Sequence, residues 1–415
     1  MKISIIVPTR NRGEYLPYCL ATCLSPDDKH IEVIVSDNNS SDQTRQVVSG
    51  IADSRLRYFN TGENLSMRQN FEFALSKATG DYLIFIGDDD GLLRNGLSTL
   101  RFLIEKHRSD VINWNLVRYI WPRSQPEPEN GVLNFRSRDF YGPLHHTDPR
   151  DILSRFCDGK TVKYKDGANI YHGCVARHVI DTLRERTGEY FQAQSPDVYA
   201  SIANLSAAKS FLWLKNPITI GGESEKSNGA ANATRQHQTT TQTEIAASFR
   251  SLANADTVTP EIDLRVRAIV GHTYANLLRV NKLIYDGRLT INHQRWRGAI
   301  LKDIENLPAE VCRSNNEILQ EFFSEADPKY RPGAASKTVP VQSAPSSPST
   351  VGNPKPKKKR RRKIASRHTQ TVAAAAEWIN GVTGSSHLPK MHPAAATVFH
   401  LWKIIEMDIK ARRIA

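Results

Sequence analysis

The sequence predicts an α/β protein with a mostly parallel sheet flanked by helices. Two observations carry the prediction: β-branched runs alternate with helix-period segments through the first hundred residues, and the segments between runs are long enough to cross over and return in parallel. ISIIV at 3–7 is the first strand, ended by Pro8. Leu16, Cys19, Leu20 and Cys23 then recur at helical spacing. IEVIV at 31–35 is the second strand, and Ser40-Ser41-Asp42 offers cap chemistry for a helix through Val48. Residues 55–59 form a weaker third strand. Asn64 is placed to cap a helix carrying Met67, Phe71, Ala74 and Leu75, which Gly80 closes. YLIFI at 82–86 is the fourth strand, with a helix expected over 91–107.

Beyond Asp110 the pattern loosens. A strand is expected over 111–121 and a long irregular segment over 122–148, where Pro, Gly, Asn and His accumulate. Helical patterns return at 151–157, 177–186, 196–208, 242–254 and 262–286, while the polar stretch 221–240 has the composition of a mobile loop. Six prolines, many serines and a basic run mark 331–368 as a disordered linker, and 394–413 has the pattern of an amphipathic helix.

Composition narrows the class. The net charge of +13 is concentrated: KPKKKRRRK at 355–363 carries eight positive charges and leaves the remainder at +5. With no aromatic residues interleaved and no base-reading motif beside it, the run argues against nucleic-acid binding as the main function. A solvated linker or a foothold on an anionic membrane surface, at about 1 kcal/mol per basic residue, fits it better. The five cysteines form no CxxC pair, so Cys19 and Cys23 read as core packing and all five as reduced thiols. No apolar run reaches the ~18 residues of a membrane span, and MKISIIVPTR lacks the pattern of a secretory signal. The expected location is cytoplasmic, with peripheral contact at the inner membrane face through 355–363.

In open parallel sheets ligands bind beyond the carboxyl ends of the strands. Three strands here end in polar chemistry: Pro8-Thr9-Arg10-Asn11, Ser36-Asp37-Asn38-Asn39 and Gly87-Asp88-Asp89-Asp90. If Asp88 and Asp90 continue the extended geometry, they share one side and Asp89 takes the other. Two carboxylates on one side repel unless a cation joins them, and Mg²⁺ or Mn²⁺ takes oxygen ligands of this type together with phosphate oxygens. No glycine-rich phosphate cradle occurs in this region, so a diphosphate would need the metal plus a side chain such as Arg10 or Arg68. The plainer alternative is that DDDG caps a helix starting near Leu92.

IIVPTRNR, VIVSDNNSSDQT, ENLSMRQNFEFAL and GDYLIFIGDDD, in this order and spacing, resemble the family 2 glycosyltransferases, whose fold is the GT-A fold. The resemblance implies a GT-A domain over 1–225, with a nucleotide-sugar half at 1–105 and an acceptor half at 106–225. A helical extension over 226–330, the linker at 331–368 and a helical segment at 369–415 would follow. It implies that Pro8, Thr9 and Arg10 line the nucleotide pocket and that Asp37 accepts from the base or ribose; the alternative for Asp37 is a turn cap. Arg68 would face the diphosphate, or else be an exposed helix arginine. Asp88 and Asp90 match the acidic positions of a DxD metal motif, and Asp88 and Asp89 also join the donor-binding set. The implied reaction is a single inverting displacement at the anomeric carbon, with Mn²⁺ or Mg²⁺, a nucleotide-sugar donor (UDP-linked by default) and a glycan or lipid-linked acceptor.

The resemblance also asks for a carboxylate base on the acceptor side, where the family usually has a Glu-Asp pair opening a helix. This chain has Ser195-Pro196-Asp197, with Pro196 in place of the Glu; Asp197 is the candidate base, or simply an acid favoured at a helix N-terminus. Tyr171-His172-Gly173-Cys174 falls where such enzymes build the acceptor floor, although a lone histidine is commonly a satisfied core residue. The loop 221–229 is a candidate lid, and His237 a weak metal candidate. Two other functions fit parts of the pattern: a nucleotidyltransferase, which would carry a Gly-rich basic loop where PTRNRGEY stands, and a non-catalytic binding protein working through its basic tail.

Overall fold

The alternating runs become strands β1 (Ile3–Thr9), β2 (Ile31–Asp37), β3 (Leu56–Asn60) and β4 (Tyr82–Phe85), joined by helices α1 (Leu16–Leu24), α2 (Thr44–Ser49) and α3 (Met67–Lys77). All three pairings are parallel, in the order β3-β2-β1-β4. The computed structural model describes residues 1–122, 131–134, 142–229, 239–260, 262–305, 307–326 and 363–365, with Val372 and Ala376. The amphipathic segment 394–413, His237 and nearly all of the linker with its basic run lie outside the described residues.

Local chemistry sets the element ends with some differences from expectation. The cap of α3 is Ser66, not Asn64: its hydroxyl accepts from the Gln69 N–H while the Gln69 side chain accepts from the Ser66 N–H, a closed capping box. The helix expected from Gly91 starts later, as α4 (Gly96–His107). Before it, Gly91–Leu92 form a short strand, β5. The expected strand over 111–121 is two strands, β6 (Val111–Trp114) and β7 (Val117–Ile120), and the irregular segment after it contains β8 (Val132–Asn134) and β9 (His145–Thr147).

Helices α5 (Pro149–Cys157), α6 (Arg177–Thr187) and α7 (Pro196–Ala207) follow, with β10 (Gly173–Ala176) before α6 and β11 (Phe211–Leu214) and β12 (Thr219–Glu223) after α7. β10 inserts antiparallel between β4 and β6, extending the main sheet to β3-β2-β1-β4-β10-β6-β11-β9. A second sheet runs β13-β8-β7-β12-β5, with β13 at Lys363–Ala365. The short β5 thus belongs to the second sheet, pairing antiparallel with β12.

The period-2 pattern of β1 puts Ile3, Ile5 and Val7 on one face, packed with Leu16, Cys19 and Leu100, and Ile6 on the other with Phe71 and Phe85. Each buried aliphatic side chain contributes roughly 1.5–3 kcal/mol. Cys19 and Cys23 are fully buried and unpaired, as expected of core thiols.

Four more helices complete the described chain: α8 (Thr240–Asn254), α9 (Ile269–Tyr285), α10 (His293–Ile304) and α11 (Ala309–Ala326). They build no separate core. Tyr274, Trp296 and Phe323 sit in the same apolar cluster as Phe71 and Phe85, and Trp296 donates to the Phe156 carbonyl at 2.8 Å. Among the described residues, no helix is long and apolar enough to cross a membrane.

Candidate active site

The three aspartates at the end of β4 are buried, each at most 3% exposed. They do not stay extended. The Asp90 N–H returns to the Gly87 carbonyl at 3.2 Å, closing a tight turn, so the extended geometry behind the period-2 expectation is absent. The reason is local: the Asp90 carboxylate accepts from the Gly87 N–H at 2.5 Å, and α1 braces the turn through Cys19, whose thiol donates to the Gly87 carbonyl at 3.3 Å.

Asp88 Oδ1 accepts from Arg12 Nη1 at 3.0 Å. Burial, with Asp89 beside it and against the pull of Arg12, pushes the Asp88 carboxyl up to about 6. Asp89 turns toward the β12 side, accepting from Ser224 Oγ at 2.6 Å and from the Ser227 hydroxyl, while its backbone carbonyl accepts from Trp121 Nε1 at 2.8 Å. Burial and neighbouring Asp90 raise its carboxyl too.

Asp90 has the fullest shell: Tyr171 OH at 2.8 Å, His172 Nε2 at 3.1 Å and the Gly222 N–H at 2.7 Å. Burial works against its charge, but His172 and the two backbone donors outweigh it and hold the carboxyl below its ordinary value. His172 is fixed from behind. Trp114 Nε1 donates to Thr219 Oγ1 at 2.8 Å, and that hydroxyl meets His172 Nδ1 at 2.9 Å; an ionised carboxylate only accepts, so the proton facing Asp90 is on Nε2.

The three acids in one buried turn make ion pairs with Arg12 and with a His172 that carries charge only when protonated. A buried site with surplus negative charge is costly unless a cation compensates it. The donors are hard oxygens, the type Mg²⁺ and Mn²⁺ take. By donor chemistry and charge the turn fits a divalent ion, although among the described residues the acids do not converge into a three-ligand cluster.

The ends of β1 and β2 meet beside this turn. Asp37 accepts from Tyr58 OH at 2.6 Å, Asn60 Nδ2 at 3.2 Å and the Ser40 N–H at 2.9 Å. It is therefore both a turn cap and a carboxylate held among polar groups. Thr9 is buried and Arg10 reaches Ser248 of α8 at 3.4 Å, so α8 stands against the loop after β1. Pro8 pairs in register with Ser36.

Arg68 does not face this site. It is 2% exposed and forked onto Asp256, with Nε at 2.9 Å and Nη2 at 2.7 Å, while Nη1 meets Glu189 at 2.5 Å. The N-terminal turn of α3 thereby ties down the chain following α8. Burial opposes the Asp256 charge, but Arg68 and Ser66 more than offset it and hold the carboxyl well below the usual range. Both expectations for Arg68, a diphosphate ligand or an exposed arginine, are corrected by a partner 188 positions downstream. Replacing Arg68 by Met should strand the buried Asp256 charge and cost about 3–5 kcal/mol in urea denaturation. Nucleotide affinity of the folded protein should stay near wild type.

Arg12 takes the place at the acids that the sequence reading gave to Arg68. Its signal was present in PTRNR, where two arginines flank Asn11, but only the left-handed backbone at Asn11 (φ 54°) turns Arg12 inward. Asp89 likewise points to Ser224 and Ser227 instead of a donor pocket. The 221–229 stretch is not the loose connection its composition suggests, since Gly222, Ser224 and Ser227 all hold acids of the turn. Gly222 is required there: a Cβ on it would lie 1.8 Å from the Asp89 carbonyl oxygen.

Asp197 sits in the first turn of α7, after Pro196 as expected, though Ser195 makes no side-chain cap. Its carboxyl is raised by burial, against hydrogen bonds from backbone N–H groups and the Tyr164 hydroxyl and the nearby charge of Lys165. Tyr171 feels both Asp90 and Asp197, so the α7 acid lies in the neighbourhood of the acidic turn.

The first part of the chain is similar to known proteins. Residues 4–165 match the family described as Glycosyl transferase family 2. A Campylobacter jejuni GalNAc(5)-diNAcBac-PP-undecaprenol beta-1,3-glucosyltransferase is 41% identical over 102 residues, 24% of this chain and 33% of that protein. The Salmonella typhimurium abequosyltransferase RfbV is 32% identical over 110 residues, 25% of this chain and 33% of its own. The matched stretch thus spans a third of each relative's length. Among solved structures, S. aureus TarS in complex with UDP-GlcNAc aligns over 80% of this chain and 92% of that one, at 15% identity and a TM-score of 0.43. Residues 4–165, which include β1 to β5 and the acidic turn, are thus similar to family 2 glycosyltransferases.

Proposed function

We propose that the protein is an inverting, metal-dependent glycosyltransferase that moves a sugar from a nucleotide diphosphate to a hydroxyl of a glycan or lipid-linked acceptor. The observation that carries this reading is the presence of two acidic groups near Tyr171: a buried, charge-surplus turn at the strand ends and a buried carboxyl on α7. The name of the Campylobacter relative, a transferase to a polyprenyl diphosphate-linked saccharide, supports a lipid-linked acceptor.

In this reading Asp37 holds the nucleoside, with Pro8, Thr9 and Arg10 around it, and Asp88 and Asp90 hold Mn²⁺ or Mg²⁺. The ion supplies neutralisation of the diphosphate as it leaves. Asp197 takes the proton from the acceptor hydroxyl, whose oxygen forms the new bond to the anomeric carbon. The bond from that carbon to the diphosphate oxygen breaks, and its electron pair leaves with the nucleoside diphosphate. A carboxyl raised by burial suits the base, since it gains proton affinity near neutral pH. Arg12, paired with Asp88 at 3.0 Å, is the cationic side chain at the turn that would face the diphosphate. Family resemblance assigns the base and metal roles; burial and hydrogen bonding support them.

A thermal-shift screen of UDP, GDP and dTDP and their sugars, each with and without Mn²⁺, tests the reading. The expected result is stabilisation that needs both components and singles out one base. Absence of a shift with every nucleotide in the presence of Mn²⁺ would contradict it.

A further inference from the structure

The two oxygens of the Asp90 carboxylate are not equivalent. Oδ2 accepts from the Gly87 N–H at 2.5 Å and from the Tyr171 hydroxyl at 2.8 Å, and His172 Nε2 lies 3.1 Å from the same atom. Oδ1 accepts from the Gly222 N–H at 2.7 Å and, among the described residues, from no other group. Each carboxylate oxygen offers roughly two acceptor sites. Oδ2 is therefore filled, and Oδ1 keeps one site open for a cation.

Tyr171 is built into the same frame as the acidic turn. Its backbone bridges to Phe85 at the end of β4: the Phe85 N–H donates to the Ile170 carbonyl at 2.9 Å, and the His172 N–H donates to the Phe85 carbonyl at 3.0 Å. The turn begins at Gly87, so one short stretch of chain fixes both the tyrosine and the acids. Gly87 also leaves the room the hydroxyl needs, since a Cβ there would lie 2.7 Å from Tyr171 Oη. The Tyr171 ring packs edge-on against His172, with centroids 4.7 Å apart, and so steadies another neighbour of Oδ2.

We infer that Tyr171 is a positioning residue for metal binding: its hydrogen bond to Oδ2 sets the rotation of the Asp90 carboxylate, so that Oδ1 is the oxygen presented to a divalent ion. The inference rests on the proposed metal role of Asp90 and adds which atom takes the ion and what aims it. Without the hydroxyl, Oδ2 loses one of its donors and the carboxylate is freer to turn. Groups that hydrogen-bond a ligating side chain commonly matter by about 10–100-fold in metal affinity.

The test compares Tyr171→Phe with wild type on the full chain. Mn²⁺ is titrated in and followed by water-proton relaxation, alone and with UDP, GDP or dTDP at a fixed concentration. Phe keeps the ring and its packing against His172 and removes only the hydroxyl. Apparent Mn²⁺ affinity is expected to fall about 10–100-fold, and saturating Mn²⁺ should return nucleotide binding to the wild-type level. Tyr190→Phe is the control for a structural loss, because it too removes a buried tyrosine hydroxyl, one that donates to Asn204 Oδ1 at 2.9 Å. It should lower the unfolding temperature by about 2 °C and leave Mn²⁺ affinity unchanged.

Mn²⁺ affinity in Tyr171→Phe equal to wild type would overturn the inference. So would equal losses in the two variants, or a loss of nucleotide binding that saturating Mn²⁺ does not restore; Tyr171 would then be a packing residue. Wild type that takes up no Mn²⁺ under any of these conditions would overturn the metal reading itself and the inference with it. The wild-type titration thus tells the two failures apart.

Discussion

Replacing Asp197 by Asn is expected to lower sugar transfer by about 10²–10⁴-fold while nucleotide binding persists. Asn keeps the shape, but it cannot take a proton from an acceptor hydroxyl. Asp197 sits in the first turn of α7, a different element from the strand ends that carry Asp37 and the acidic turn, so donor contacts should survive its loss. Initial rates with the nucleotide sugar from the screen, beside calorimetric affinity for its nucleoside diphosphate, separate the two effects. A variant with undiminished turnover would remove Asp197 from the chemistry. A variant that no longer binds nucleotide would move it to the donor site.

The second large effect is expected at the acidic turn. Asp88→Asn with Asp90→Asn removes two of the three buried charges and should abolish measurable transfer together with the metal-dependent part of donor affinity. Asp90 also accepts from Gly87, Tyr171 and Gly222, so unfolding of the variant must be measured alongside. Asn has one acceptor oxygen for the two that Asp90 uses, so Gly222 or the Gly87 and Tyr171 side loses its acceptor, and a fall in stability is expected alongside the loss of transfer.

Local pattern made the nucleotide half legible. β1, β2 and β4 are continuous apolar runs because both faces are covered, and α3 and α5 to α7 begin within a few residues of where periodicity and capping chemistry put them. What was missed was set by distant partners. β5 looked like the start of a helix because Gly91 and Leu92 pair with β12, more than a hundred residues away. β10 is a four-residue strand whose antiparallel place between β4 and β6 no local signal declares.

The site divides the same way. That Asp37, the loop after β1 and the three aspartates lie at neighbouring strand ends followed from parallel topology. Their side-chain directions did not. Asp88–Asp90 turn instead of extending, Arg68 is taken by Asp256, and His172 is recruited to Asp90 across 82 positions of sequence. His172 has a left-handed backbone (φ 53°), an unusual conformation for a histidine that aims the ring at the turn, and sequence alone gives no sign of it.

The claim on which the rest depends is that this buried acidic turn binds a divalent ion together with a sugar nucleotide. It is tested most directly by titrating the screened nucleoside diphosphate into wild type and into Asp88→Asn/Asp90→Asn, with and without Mn²⁺. Wild type should bind at least about tenfold more tightly with Mn²⁺, a difference of about 1.4 kcal/mol, and the double variant should show no metal effect. Equal affinities for the two proteins under both conditions would contradict the claim.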